Sequence, residues 1–302
     1  MNKFKINLIA LGCFFALSTA QAGPVIIDGT DANDHGSASG TPIANQNGWL
    51  YMQRALENLA TNVNPLAAKV VVDIGATSGD ARNSITSAFN LSALPGLGWS
   101  LTHVDGAAAV DAWLAGLSTS NTGILYLTTF GLVGGDADTA ERTAINNRAA
   151  EINNFVGGAG NATLGGALFA QGEVGTGAFG WLSTLIPGIT FTDVGGGGIG
   201  TNMTLTPAGT AAFPGLTNTD LAGADPWHGY FSGNLGGLSV LATAPDSQGV
   251  TRNVIIGGGA GTILQCGEPG QPPCPRTVAE PSAALLILPG LVLLSLMRRR
   301  LS

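Results

Sequence analysis

Three stretches of this chain are apolar at successive positions, with no alternation. They are Val70-Val71-Val72 with Asp73-Ile74, Gly123-Ile124-Leu125-Tyr126-Leu127, and Ala167-Leu168-Phe169-Ala170. A strand with one wet face alternates apolar and polar residues. A short run without alternation has to be covered on both faces, as central strands of parallel sheets are. Between these runs the apolar spacing becomes helical: Trp49, Met52, Leu56 and Leu59 recur along one face, as do Val110, Trp113, Leu114 and Leu117. Strands alternating with helices predict an α/β fold, a three-layer, doubly wound and mostly parallel sheet. The same runs argue against a β-sandwich.

Further strands are predicted at Val25–Asp28, Trp99–Val104 and Ile189–Val194, with Ser239–Ala242 and Asn253–Ile256 closing the sheet as an antiparallel pair. Further helices are predicted over 83–89, 139–155 and 178–185. The second should be one continuous helix, capped by Asp138 or Thr139, supported by Glu141 and stopped by Gly157-Gly158. There is no internal repeat of the kind that builds solenoids.

This order of elements resembles the class I glutamine amidotransferase-like group on a flavodoxin-like sheet. The resemblance is carried by Gly123-Ile124-Leu125-Tyr126-Leu127, by Ile152-Asn153-Asn154-Phe155-Val156-Gly157-Gly158, and by Gly166-Ala167-Leu168-Phe169-Ala170 with its turn at Gln171-Gly172-Glu173. Members that are enzymes carry a cysteine on the sharp turn after that strand. Here the turn reads Ala170-Gln171-Gly172, and the domain has no cysteine before Cys266. Amidotransferase chemistry is therefore not implied.

Both ends read as addresses. Residues 1–22 have the layout of a secretory signal: Lys3 and Lys5, an apolar stretch from Leu8 to Leu17, and Ala20-Gln21-Ala22 as the signal-peptidase site. The rival is a lipoprotein signal with Cys13 lipidated. At the other end Glu280-Pro281-Ser282 precedes an apolar run from Ala283 to Met297 and then Arg298, Arg299 and Arg300. Such a run is short for a comfortable membrane span, which takes about 20 residues, and the arginines would stay cytoplasmic. The three features in this order, over 279–302, resemble the PEP-CTERM sorting signal, with Ala279 in place of its first proline. An ordinary C-terminal membrane anchor is the alternative. The resemblance implies a Gram-negative, exopolysaccharide-making bacterium and an exosortase as sorting partner. It also implies export through the inner membrane, a transient C-terminal membrane helix, and delivery to the cell surface or biofilm matrix after processing.

The expected organisation is a signal peptide over 1–22, an α/β domain over 23–264, a Pro/Gly-rich linker over 265–278 and the sorting signal over 279–302. In the linker, Cys266 and Cys274 stand eight positions apart. An oxidising compartment favours a local disulfide between them. The chain carries 12 basic and 19 acidic residues, net −7, but 23–264 alone holds six basic and 17 acidic, net −11. Such a surplus of acid excludes a nucleic-acid backbone as partner.

Four constellations could carry chemistry. Asp28, Asp31 and Asp34 recur every third residue after the first strand, beside His35. They suit a hard cation such as Ca²⁺, or an Asx-turn loop bonding its own backbone. Trp227, His228, Tyr230 and Phe231 lie in an aromatic-rich loop over 225–231, able to stack on sugar, for instance exopolysaccharide, or to anchor the core. Glu173 with His35 or His228 is a possible acid–base set, but no Gly-x-Ser-x-Gly elbow accompanies them. His103, inside a strand, reads as structural. The glycine runs at 195–198 and 257–259 lack a P-loop ending and read as turns. The function expected is a sorted surface or biofilm-matrix protein with a non-catalytic binding or structural domain. The alternative is a repurposed hydrolase or metal-dependent enzyme acting on extracellular glycans or peptides.

Overall fold

The computed structural model describes residues 24–30, 32–33, 47–76, 79–128, 137–157, 165–172, 179–195, 200, 202–221 and 227–258. The chain divides into two compact units, Met1–Leu264 and Gln265–Ser302. The described residues all belong to the first. Residues 1–22, Asp31, Asp34, His35, Glu173, Cys266, Cys274 and the sorting signal with Glu280, Pro281, Ser282 and Arg298 to Arg300 lie outside them.

Among the described residues ten strands form one sheet. β1 (Val25–Asp28), β2 (Val70–Ile74), β3 (Ser100–Val104), β4 (Ile124–Leu127) and β5 (Ala167–Gln171) are parallel, in the order β3-β2-β4-β5-β1. The rest is antiparallel: β6 (Ile189–Asp193), β7 (Thr204–Leu205), β8 (Gly229–Gly233), β9 (Ser239–Pro245) and β10 (Thr251–Gly258). β10 is the junction. Its Ile255 pairs with both Asp28 and Ala242, and its Asn253 with both Phe231 and Thr243. β1 and β8 therefore follow one another along one edge of β10, and β9 runs along the other. The predicted antiparallel pair is present as β9 and β10.

The two-sided strands are covered as their composition requires. Ile26, Val71, Ile124, Tyr126 and Phe169 face one apolar layer. That layer is completed by α1 (Asn47–Asn62), α2 (Gly79–Leu91), α7 (Pro207–Ala212) and α8 (Asn218–Leu221). Ile27, Val72, Leu125, Leu127 and Leu168 face the other, built with α3 (Ala107–Ala115), α4 (Thr139–Asn147), α5 (Ala149–Gly157) and α6 (Leu182–Leu185). The fold is α/β, with helices on both faces of the sheet.

The helix predicted over 178–185 is the single turn α6, with 179–181 as a turn before it. Two further readings differ. The continuous helix over 139–155 is two helices, broken at Arg148, whose N–H turns back to Ile145 O. The Arg148 side chain reaches across to α3, donating from Nε and Nη2 to Asp111 at 2.7 and 2.8 Å, and from Nη1 to Glu151. The cap is Asp138: its carboxylate accepts from the Ala140 and Glu141 amides, and Glu141 accepts in return from the Asp138 amide. The second difference is at 229–233. Read as part of an aromatic loop, this segment is strand β8, held antiparallel to β6.

Candidate functional site

Ligand sites of open α/β sheets sit at the carboxyl ends of parallel strands. At that end of β1, β4 and β5, three inward polar side chains interrupt the apolar layer beneath α1. Asp28, Tyr126 and Gln171 are buried, and so is Tyr51 of α1. Parallel pairing places Gln171 opposite Asp28. The Tyr51 hydroxyl donates to Asp28 Oδ2 at 2.7 Å, and Gln171 Nε2 donates to the same oxygen at 3.4 Å. Thr30 closes an Asx-type turn on Oδ1, donating from its amide at 3.0 Å and from its hydroxyl at 2.9 Å. Tyr126 donates to Gln171 Oε1 at 2.6 Å. Burial pushes the Asp28 carboxyl up to about 7, while the donors from Tyr51, Thr30 and Gln171 pull it back toward its ordinary range.

A second buried carboxylate lies on the same side of the sheet. Asp73 of β2 is opposite His103 of edge strand β3 and Tyr126 of β4. His103 Nδ1 lies 2.6 Å from Asp73 Oδ2, and His103 Nε2 lies 3.4 Å from the Thr86 hydroxyl of α2. Burial raises the Asp73 carboxyl to about 6, against the lowering effects of the His103 contact and of the Arg82 charge. Asp73 Oδ1 closes no hydrogen bond. Nearby, the Ser84 hydroxyl donates to Asn33 O, and Asn33 Nδ2 donates to Thr128 Oγ1 at 3.3 Å.

The aromatic segment is where burial corrects the sequence reading. Trp227 is wholly buried in the α1/α2 layer, and Phe231, 1% exposed, is in the opposite one. His228 is 2% exposed; its amide donates to Gly29 O at 2.8 Å and its Nδ1 lies 3.1 Å from Gly195 O. Tyr230 is half-buried, with the Arg252 guanidinium 4.5 Å over its ring. A sugar needs an uncovered ring face to stack on. Neither Trp227 nor Phe231 offers one, so the core-anchor alternative describes them. The physical reason is the bridge Thr30↔Trp227 together with β8, which draws this segment into the sheet.

Of the acid–base set, the structure brings His228 beside the β1 turn through Gly29, while His35 and Glu173 lie outside the described residues. Of the proposed calcium ligands only Asp28 is described, and its two oxygens already accept four hydrogen bonds from within the protein. Among the described residues no group of three or more His, Cys, Asp or Glu could hold a metal ion. None of their helices is long and apolar enough to cross a membrane. At Gly172, the first residue after β5, a Cβ would meet the Phe179 ring at 2.1 Å.

Sequence reading missed Tyr51, Asp73, Tyr126 and Thr86 as members of polar contacts, and passed over Gln171 and His103. A signal was present for two of them. Asp73 and Tyr126 stand inside runs whose other members are apolar, and a polar group on a doubly covered strand must find a partner.

Comparison with known proteins adds little. No family model matches the chain, and no curated protein does. A solved structure of a peptidase from an acI-B1 Actinobacterium is similar at 14% identity, over 51% of this chain and 55% of that one, with a TM-score of 0.24. The likeness thus spans about half of that peptidase's own length, and at this TM-score it carries no argument about fold or activity.

Proposed function

We propose that this chain is an exported, exosortase-sorted surface or biofilm-matrix protein whose α/β domain binds or builds and does not catalyse. The observation that supports the non-catalytic part is that, among the described residues, the buried polar groups at these strand ends hydrogen-bond one another. Asp28 and Gln171 occupy the place where α/β enzymes present reacting groups, and they spend their hydrogen-bonding capacity on Tyr51, Thr30 and Tyr126. Export and sorting rest on the two terminal sequence patterns. The relative order β3-β2-β4-β5 matches the first four places of a flavodoxin-like sheet, 2-1-3-4. In the finer reading we propose, the N-terminal strand β1 has taken the fifth place.

The test is processing in a host with and without its exosortase. Expected is a chain shortened at both ends and recovered outside the cell, and a membrane-retained form when the exosortase is deleted. An unprocessed cytoplasmic chain, or one indifferent to the deletion, would overturn the proposal.

A second reading, hydrolysis of extracellular glycans or peptides, is favoured by one arrangement. Thr86, His103 and Asp73 stand in hydroxyl–imidazole–carboxylate sequence, the order in which a base is oriented and a hydroxyl activated. Assay of the purified chain on fluorogenic esters, peptides and glycosides separates the two readings. Turnover lost in His103→Gln replaces the first reading with the second; no turnover on any class removes the second.

A further inference from the structure

The five parallel strands begin together at the end of the sheet opposite to the polar site. Val25 lies beside Leu168, Ile124 beside both Ala167 and Val71, and Val70 beside Ser100. β10 runs the other way and so finishes here, its Gly258 opposite Val25. The segments that surface at this end lead into β2, β3 and β4, over 63–69, 91–99 and 117–123. They hold one formal charge, Lys69, and no acidic residue, in a domain of net −11. Lys69 Nζ donates to Leu97 O at 2.8 Å, and among the described residues no carboxylate pairs with it. The carboxylate bonded to these segments, Glu57, accepts from the Ala93 amide and is paired with Arg54. Of the four large apolar side chains exposed among the described residues, three stand here: Leu66, 82% exposed, Leu97, 57%, and Leu91. Single exposed leucines are ordinary, but a group of them on one acid-free end marks a surface for contact.

We propose that this end of the domain docks on a phospholipid bilayer while the apolar run at 283–297 is held in it. The place where the chain leaves the sheet points to that partner. β10 ends at Gly258 on the leucine-bearing end, and residues 259–282, which connect it to the apolar run, reach at most about 80 Å. A domain tethered so closely meets the bilayer at high effective concentration, so a weak contact is enough. Charge selects which end makes it. An anionic leaflet repels the acidic remainder of the domain and attracts a lysine within a Debye length. Leu66 and Leu97 would enter the boundary of headgroups and acyl chains, with the Lys69 stem alongside and its ammonium at phosphate level. The inference deepens the sorting reading, on whose membrane helix it rests.

The experiment reconstitutes the full chain in vesicles of phosphatidylethanolamine and phosphatidylglycerol that carry a photoreactive phospholipid, and maps lipid adducts by mass spectrometry. Wild type is expected to show adducts on 63–69 and 91–99 as well as on 283–297. Leu66→Asp with Leu97→Asp should cut the loop adducts about tenfold or more, the worth of one buried leucine, and leave those on 283–297 unchanged. Both side chains are exposed, so the variant should keep the fold, which thermal melting checks. Adducts confined to 283–297 overturn the docking and leave the membrane helix standing. Loop adducts without any on 283–297 support the docking and overturn the helix; adducts on neither overturn both. Lys69 is the single lysine between the two terminal signals, so chain-to-chain amine cross-links through it, in place of lipid adducts, assign the surface to a second copy and overturn the proposal.

Discussion

The hydroxyl of Tyr51 donates to Oδ2 of Asp28 across 2.7 Å, joining α1 to the end of β1 in a place closed to water. No other oxygen–oxygen contact to that carboxylate is shorter, and Gln171 reaches the same oxygen only at 3.4 Å. Removing the hydroxyl leaves a buried acceptor with one long bond. Tyr51→Phe keeps the ring contacts with Phe169 and Phe213 and should cost about 1–3 kcal/mol of stability by urea unfolding. An unchanged midpoint would show that the bond contributes nothing.

The raised Asp28 carboxyl fixes the sign of a pH effect. Its folded value is about 7 against an ordinary 3.8, because burial penalises its charge. Between those values the folded chain holds a proton that the unfolded chain has released. Its contribution is complete below about pH 4 and is lost as pH rises through 7. Asp73 acts in the same direction up to about 6. Arg148 lowers Asp111 and Glu151, and the Val250 amide and other donors lower Asp246. These act oppositely, lost as pH falls below the ordinary carboxylate range, and as exposed groups they count for little. The melting temperature should therefore fall from pH 4 to pH 7, and Asp28→Asn should flatten most of that fall. A melting temperature that rises over this interval would contradict the assignment.

Gly29 lies where β1 passes β8. A Cβ there would stand 2.2 Å from the Gly229 carbonyl oxygen, backbone that has no rotamer to yield. Gly29→Ala should cost about 1–3 kcal/mol as the strands are forced apart. It should also disturb the amide signals of His228 and Gly229, which both donate to Gly29 O. Spectra and unfolding curves that match wild type would refute the close approach.

Asp138 closes a capping box with Glu141 at the start of α4. Asp138→Ala should remove about 1 kcal/mol, with amide exchange accelerated at Ala140 and Glu141 first. Glu141 also accepts from the Gly106 amide at 2.8 Å, tying α4 to the start of α3. Glu141→Ala should therefore loosen both helices, a difference that exchange rates along α3 would reveal.

Parts of this molecule were legible because they depend on local pattern. Val70–Val72, Ile124–Leu127 and Ala167–Ala170 have no polar side to turn to water, so cover on both faces followed from the residues themselves. The helix start was legible in the same way, with Asp138 immediately before the run and three positions before Glu141, though Thr139 competed as its cap. The break at Arg148 was not legible, because no glycine or proline marks it and the pairing of Arg148 with Asp111, 37 residues away, shows only in the fold. Nor was the fate of Trp227, which depends on a bridge to Thr30.

By itself, then, the sequence determined the α/β layering and one helix start, since apolar periodicity and capping act over a few residues. The place of β1 between β5 and β10, the strand at 229–233 and the burial of Asp28 among Tyr51, Thr30 and Gln171 were decided only by tertiary structure. Apolar strands resemble one another as neighbours. Which of them pair, and which polar side chains then come within hydrogen-bond reach, is set by register across residues as far apart as Asp28 and Gln171.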